Sequence, residues 1–127
     1  MPMKLLVVDD QAPVGAIVCR IAQQHGWEAE HMTSSHGILN HLKNSGIDAL
    51  VVDYLIDEED GLSLIAKVRA AGYHLPILLF TGRPELIDEA VATKLGVLRT
   101  LTKPISIEEL RASLNEARKG VFDQKAT

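Results

Sequence analysis

The sequence predicts an α/β fold, a doubly wound five-stranded parallel sheet with five helices. Three observations carry that expectation. The apolar runs at residues 4–8, 49–52 and 77–80 are continuous rather than alternating, the pattern of strands covered on both faces. Between the runs, apolar residues recur three and four apart, as in helices that bury one stripe. Glycines at 26, 46, 72, 96 and 120 fall just past the helical patterns, where a left-handed residue closes a helix.

In chain order, the first strand is Lys4–Val8 (KLLVV) and the first helix Val14–Gln24. Trp27–Met32 (WEAEHM) mixes apolar with charged residues and reads as an edge strand, followed by a helix over Ser35–Lys43. Ala49–Val52 and Ile77–Phe80 are the third and fourth strands, with helices at Leu62–Ala71 and Pro84–Lys94, the latter opened by its proline. Val97–Thr102 (VLRTLT) is the second mixed, edge-type strand. The capping pattern Ser106-x-x-Glu109 then announces a last helix, Ile107–Lys119. Right-handed crossovers, with strands one, three and four central, favour the order 2-1-3-4-5, a flavodoxin-like sheet.

A chain of 127 residues, 46% apolar and 24% charged, can bury one core without disulfides or a structural metal. It divides into a domain over residues 1–120 and a short C-terminal tail, or the start of a linker, over 121–127. A net charge of −4 speaks against direct binding of a nucleic acid backbone. There is no apolar stretch of signal-peptide length at the start and no window near the ~20 apolar residues of a membrane span. The expectation is a cytoplasmic protein with no membrane contact. Cys19, within GAIVCRIA, reads as a core residue, and His25, His31, His36, His41 and His74 show no metal-ligand spacing.

Two buried strands end in acids. LLVVDDQ stops at Asp9 and Asp10, and LVVDYLIDEEDG stops at Asp53. In the order 2-1-3-4-5 the chain reverses between the first and third strands, and ligands bind outside the carboxyl ends of strands at such a point. Carboxylates near 5 Å apart repel by about 3–4 kcal/mol per pair at an effective dielectric of about 20, so a cation should sit among them. An all-oxygen set favours Mg²⁺ over Zn²⁺, which would want His or Cys. No GxGxxG or GxxxxGK[ST] loop is present to cradle a nucleotide. Thr81 after the fourth strand and Lys103–Pro104 after the fifth add a hydroxyl and an ammonium to the same rim.

With these residues the chain, from about Lys4 to Lys119, resembles a bacterial two-component response-regulator receiver domain of the chemotaxis-regulator kind. The resemblance implies that Asp53 accepts a phosphoryl group from a sensor histidine kinase or phosphotransfer protein. It implies Mg²⁺ on Asp10, with Asp9 often acting through water, Asp53 itself, and the backbone carbonyl of Leu55. Lys103 would pair with the phosphoryl group and Thr81 would swing toward it, and a cis bond before Pro104, common in the family, would aim Lys103. It also implies a signal carrier rather than an enzyme, one that catalyses only its own phosphorylation and dephosphorylation. The signal would pass to a downstream protein or output domain, with phosphorylation-dependent homodimerisation as a further option.

Some positions depart from the family pattern. Thr100 stands where an aromatic is usual, and Ile56–Asp57 replaces Met–Pro after the acceptor. Bulky Leu55 and Arg83 occupy positions that tune phosphoryl lifetime in the family, and are expected to shield the acyl phosphate. The acidic run from Asp57 to Asp60 reads as a solvated loop. Two rival readings remain at this point: a haloacid-dehalogenase-like, Mg²⁺-dependent phosphatase, and a phosphorylation-independent pseudo-receiver scaffold. With no output-type pattern after Lys119, both a stand-alone receiver and the front of a longer regulator stay open.

Overall fold

The computed structural model describes residues 2–126. Continuous apolar runs become the central strands β1 (Lys4–Val8), β3 (Ala49–Asp53) and β4 (Ile77–Thr81), with β2 (Glu28–Met32) and β5 (Val97–Thr102) at the edges. All five pair in parallel, in the order β2-β1-β3-β4-β5. The expected topology therefore holds. The strands alternate with α1 (Ala12–Gln24), α2 (Ile38–Ser45), α3 (Gly61–Ala70), α4 (Glu89–Lys94) and α5 (Ile107–Ala126).

Because successive strand side chains point to opposite faces, the sheet sorts one apolar run into two cores. Leu5, Val7, Val51, Leu78 and Phe80 pack with Val18, Cys19 and Ile21 of α1 and Leu110 and Leu114 of α5. Leu6, Val8, Leu50, Val52 and Leu79 pack against α2, α3 and α4 through Leu42, Ile65, Val68 and Ala92. Cys19 is the core residue its surroundings suggested, and burial pushes its thiol pKa up.

Four segments differ from the sequence reading, each for a local reason. Helix α2 starts at Ile38 rather than Ser35, because Gly37 before it is left-handed, with φ +82°. The helix expected over residues 84–94 is split into a 3₁₀ turn, Pro84–Leu86, and α4. Between them Ile87 is extended and buried, and the Asp88 carboxylate accepts the Val91 N–H at 3.2 Å to restart the helix. Helix α5 runs past Lys119 through Gly120, whose missing side chain lets it lie against Pro76, and Val121 inserts into the core. The acidic run is a solvated loop only at its tip, where Asp57 and Glu58 are exposed. Leu55–Ile56 pairs antiparallel with Glu59–Asp60, Asp57 takes φ 56° at the turn, Glu59 pairs with Lys67, and Asp60 caps α3 by accepting the Ser63 N–H at 2.7 Å.

Candidate functional site

Neighbouring parallel strands bring the acids together. Val8 on β1 is in register with Val52 on β3, so Asp9 and Asp53 emerge side by side. Both are buried, at 1% and 7% exposure, while Asp10 reaches solvent. One oxygen from each of Asp9, Asp10 and Asp53 lies within 4.8 Å of the others, the tightness expected of a cation cage. Lys103 enters from the end of β5. Its Nζ lies 3.2 Å from Asp9 Oδ2 and 3.2 Å from Asp53 Oδ2, and donates to Gln11 Oε1 at 3.1 Å.

Main-chain donors hold two of the other carboxylate oxygens. Asp9 Oδ1 accepts the Gln11 N–H at 2.8 Å, and Asp10 Oδ2 accepts the Asp57 N–H at 3.3 Å. A single ammonium faces three acids, and the shortfall is visible at Asp53. Burial first, then the neighbouring Asp9 charge, raises its pKa to about 6, although Lys103 pulls it back down. The donor set is all oxygen and carries excess negative charge, which suits a hard divalent cation.

Thr81 closes β4, in register with Thr102 on β5. Its carbonyl accepts the Lys103 N–H at 2.8 Å and its Oγ1 accepts the Arg83 N–H at 2.9 Å, so hydroxyl and ammonium arrive on one rim. The Lys103–Pro104 peptide is cis. Asp53, Leu55, Thr81, Arg83 and Lys103 share a cleft of about 300 Å³ that also reaches Asp10. Leu55 is 56% exposed at its mouth, and Arg83 pairs with Glu85 there. Gly61 is required on the inner side, since a Cβ would fall 2.5 Å from the Asp53 carbonyl oxygen. Asp9, Asp10, Asp53, Leu55, Thr81, Arg83 and Lys103 all lie on this rim. The contacts of Gln11, Asp57 and His31 with the site, the last through an imidazole Nε2 that lies 2.8 Å from the Asp9 carbonyl oxygen, were not foreseen. The sign for His31 was a glycine, Gly15, inside an otherwise regular helix.

Residues 5–115 match the response regulator receiver domain. The chain belongs to that family. It is 30% identical over 113 residues to the transcriptional regulatory protein TrcR of Mycobacterium tuberculosis, covering 89% of this chain and 44% of that protein. It is also 30% identical over 112 residues to the transcriptional regulatory protein BasR of Escherichia coli, covering 88% of this chain and 50% of that one. This receiver domain thus spans about half the length of the curated relatives it matches. In fold it is similar to the signal receiver domain of an HD domain-containing protein from Pseudomonas fluorescens, with a TM-score of 0.87 at 22% identity, covering 97% of this chain and 99% of that one. Receiver domains are signalling domains of two-component systems, and none of the helices among the described residues is long and apolar enough to cross a membrane.

Proposed function

We propose that this receiver domain takes a phosphoryl group onto Asp53 from a sensor histidine kinase or phosphotransfer protein, with Mg²⁺ as its cation. The observation that carries this reading is the Asp53 carboxylate, held 3.2 Å from Lys103 at the floor of an open cleft beside two further acids. An Asp53 oxygen attacks phosphorus. The new P–O bond forms as the donor's P–N bond breaks, and the departing imidazole keeps the electron pair and takes up a proton. Asp9, Asp10, Asp53 and the Leu55 carbonyl would hold the Mg²⁺, which supplies positive charge against the phosphoryl oxygens.

Lys103 then exchanges its carboxylate partners for phosphoryl oxygens. The Thr81 hydroxyl, now an acceptor for Arg83, turns to donate to the same group and draws β4, α4 and β5 with it. Thr100, half-buried on β5, leaves this coupling without the family's usual aromatic. Leu55 and Arg83 at the cleft mouth slow water attack on the acyl phosphate, so a half-life of seconds in Mg²⁺ buffer would contradict that role. The domain carries a signal and catalyses only its own phosphorylation and dephosphorylation. It hands the signal in the cytoplasm to a downstream protein or an output domain, or to a second copy through phosphorylation-dependent pairing, without itself binding nucleic acid. A haloacid-dehalogenase-like phosphatase is disfavoured because it carries its nucleophile after the first strand in a DxD pattern and its acid pair late in the chain, whereas here the Asp9–Asp10 pair comes first and Asp53 follows on the third strand.

The test is labelling with acetyl phosphate in the presence of Mg²⁺, followed by intact-mass analysis. One phosphoryl group should appear on the wild type and none on Asp53→Asn. Labelling that survives the substitution would overturn the assignment, as would steady hydrolysis of a generic phosphate ester.

A further inference from the structure

Helix α1 carries a glycine, Gly15, in its second turn, although glycine is a poor helix former and no bend or left-handed residue calls for one there. The reason lies beneath it. A Cβ at position 15 would collide with the His31 imidazole, which comes up from β2 and fills the space under the helix. The ring is aimed at one atom, the Asp9 carbonyl oxygen, 2.8 Å from Nε2. A carbonyl can only accept, so Nε2 carries the proton and donates, which fixes the tautomer of a neutral ring.

That carbonyl belongs to the peptide joining Asp9 to Asp10, just past the end of β1 where the sheet ladder stops. The Asp9 N–H is held by the Met32 carbonyl at 3.1 Å, so β2 grips Asp9 on both sides, by its main chain and by the His31 side chain. Holding this peptide plane sets the directions in which the Asp9 and Asp10 side chains leave the backbone, and both lead into the acid cluster.

We propose that His31, seated under Gly15, is a positioning residue for the cation site: its Nε2–H donation orients the Asp9–Asp10 peptide so that the carboxylates converge on Mg²⁺. This rests on the reading that the acid cluster binds Mg²⁺. Outer partners that orient the ligands of a metal site commonly change its affinity by 10–100-fold, and the lower end applies where the hydrogen bond reaches the ligands' backbone.

The experiment titrates Mg²⁺ into the full chain and follows amide NMR shifts around Asp9, Asp10 and Asp53. His31→Leu, which fills the space without a donor, should bind Mg²⁺ roughly tenfold more weakly. His31→Gln, which can donate from the same place, should recover to within about threefold of wild type on that scale. Gly15→Ala should reproduce the loss by displacing the ring, and adding it to His31→Ala should cost nothing more, the non-additivity of a contacting pair. If wild type binds Mg²⁺ and His31→Leu binds it equally well, the positioning role falls while the receiver reading stands. If wild type shows no Mg²⁺ binding, both fall.

Discussion

At the carboxyl ends of the strands, two of three clustered carboxylates, Asp9 and Asp53, share the ammonium of Lys103; at the amino ends, one guanidinium, that of Arg69, serves four main-chain carbonyls. Arg69 Nε donates to Leu95 at 2.7 Å, Nη1 to Tyr73 at 3.2 Å and Leu75 at 2.7 Å, and Nη2 to Gly96 at 3.2 Å. Those carbonyls terminate α4 and lead into β4 and β5, so a single side chain ties two helix–strand corners together. Burial pulls the Arg69 pKa below its usual value, but arginine stays charged and its donors are used. A charge with four of its five N–H donors on main-chain carbonyls is structural. The acid rim is left short of positive charge, and that deficit is what the proposed cation and phosphoryl transfer would use.

The largest effect expected from changing a charge is on the satisfied side. Arg69→Met keeps the aliphatic stem but strands four carbonyls at a half-buried corner, and should lower stability by about 3 kcal/mol in urea unfolding. Mg²⁺ binding at the far rim should not change. A loss under about 1 kcal/mol would mean that water replaces the guanidinium without penalty, and the contrast between the two ends would disappear.

On the deficient side, removing a charge should help. Asp53 has a folded pKa of about 6 against 3.8 for an unperturbed aspartate, so its ionised form is disfavoured by folding. A raised folded pKa gives a contribution fully present below the unfolded value and lost as pH rises through the folded one. Without Mg²⁺, Asp53→Asn should therefore be more stable than wild type by about 1–2 kcal/mol at pH 8. The advantage should shrink as pH falls through 6 and vanish near pH 4, followed by thermal or urea unfolding across that range. A destabilised Asp53→Asn at pH 8 would show that the acid cluster is not strained in the metal-free protein.

Much of this contrast was legible in the sequence. The buried strands showed as unbroken apolar runs and the edges as mixed ones, because exposure on one face leaves its mark residue by residue in WEAEHM and VLRTLT. Asp9, Asp10, Asp53, Thr81 and Lys103 stood out jointly, because acids, a hydroxyl and a lysine close the first, third, fourth and fifth strands on one rim. What escaped depends on contacts between distant segments. The split at Ile87 follows from a side chain that must turn into the core, and the continuation of α5 through Gly120 from the proximity of Pro76. Arg69 looked like any helix-surface charge, since the carbonyls it serves lie 4 to 27 residues further along and are invisible to a periodicity. His31 likewise gains its meaning only from a helix 16 residues upstream, at Gly15.

The smallest effect tests whether the amino-terminal end is as well satisfied as Arg69 suggests. Trp27, just before β2, is 3% exposed, and its indole N–H finds no hydrogen-bond partner among the described residues. Arg118 covers the ring, its Cζ 5.4 Å from the centroid, while donating to the His25 carbonyl. Trp27→Phe removes the stranded donor, worth about 1–3 kcal/mol, but gives up apolar contact area and part of the cation–π attraction. These terms oppose each other at similar size, so the net change should lie within about 1 kcal/mol of zero, whereas deleting the ring with Trp27→Ala should cost about 3–5 kcal/mol. A Phe variant as damaged as the Ala variant would mean that the indole N–H is served after all, by a bound water, and would bring this last polar atom into line with the carbonyls that Arg69 satisfies at the same end of the sheet.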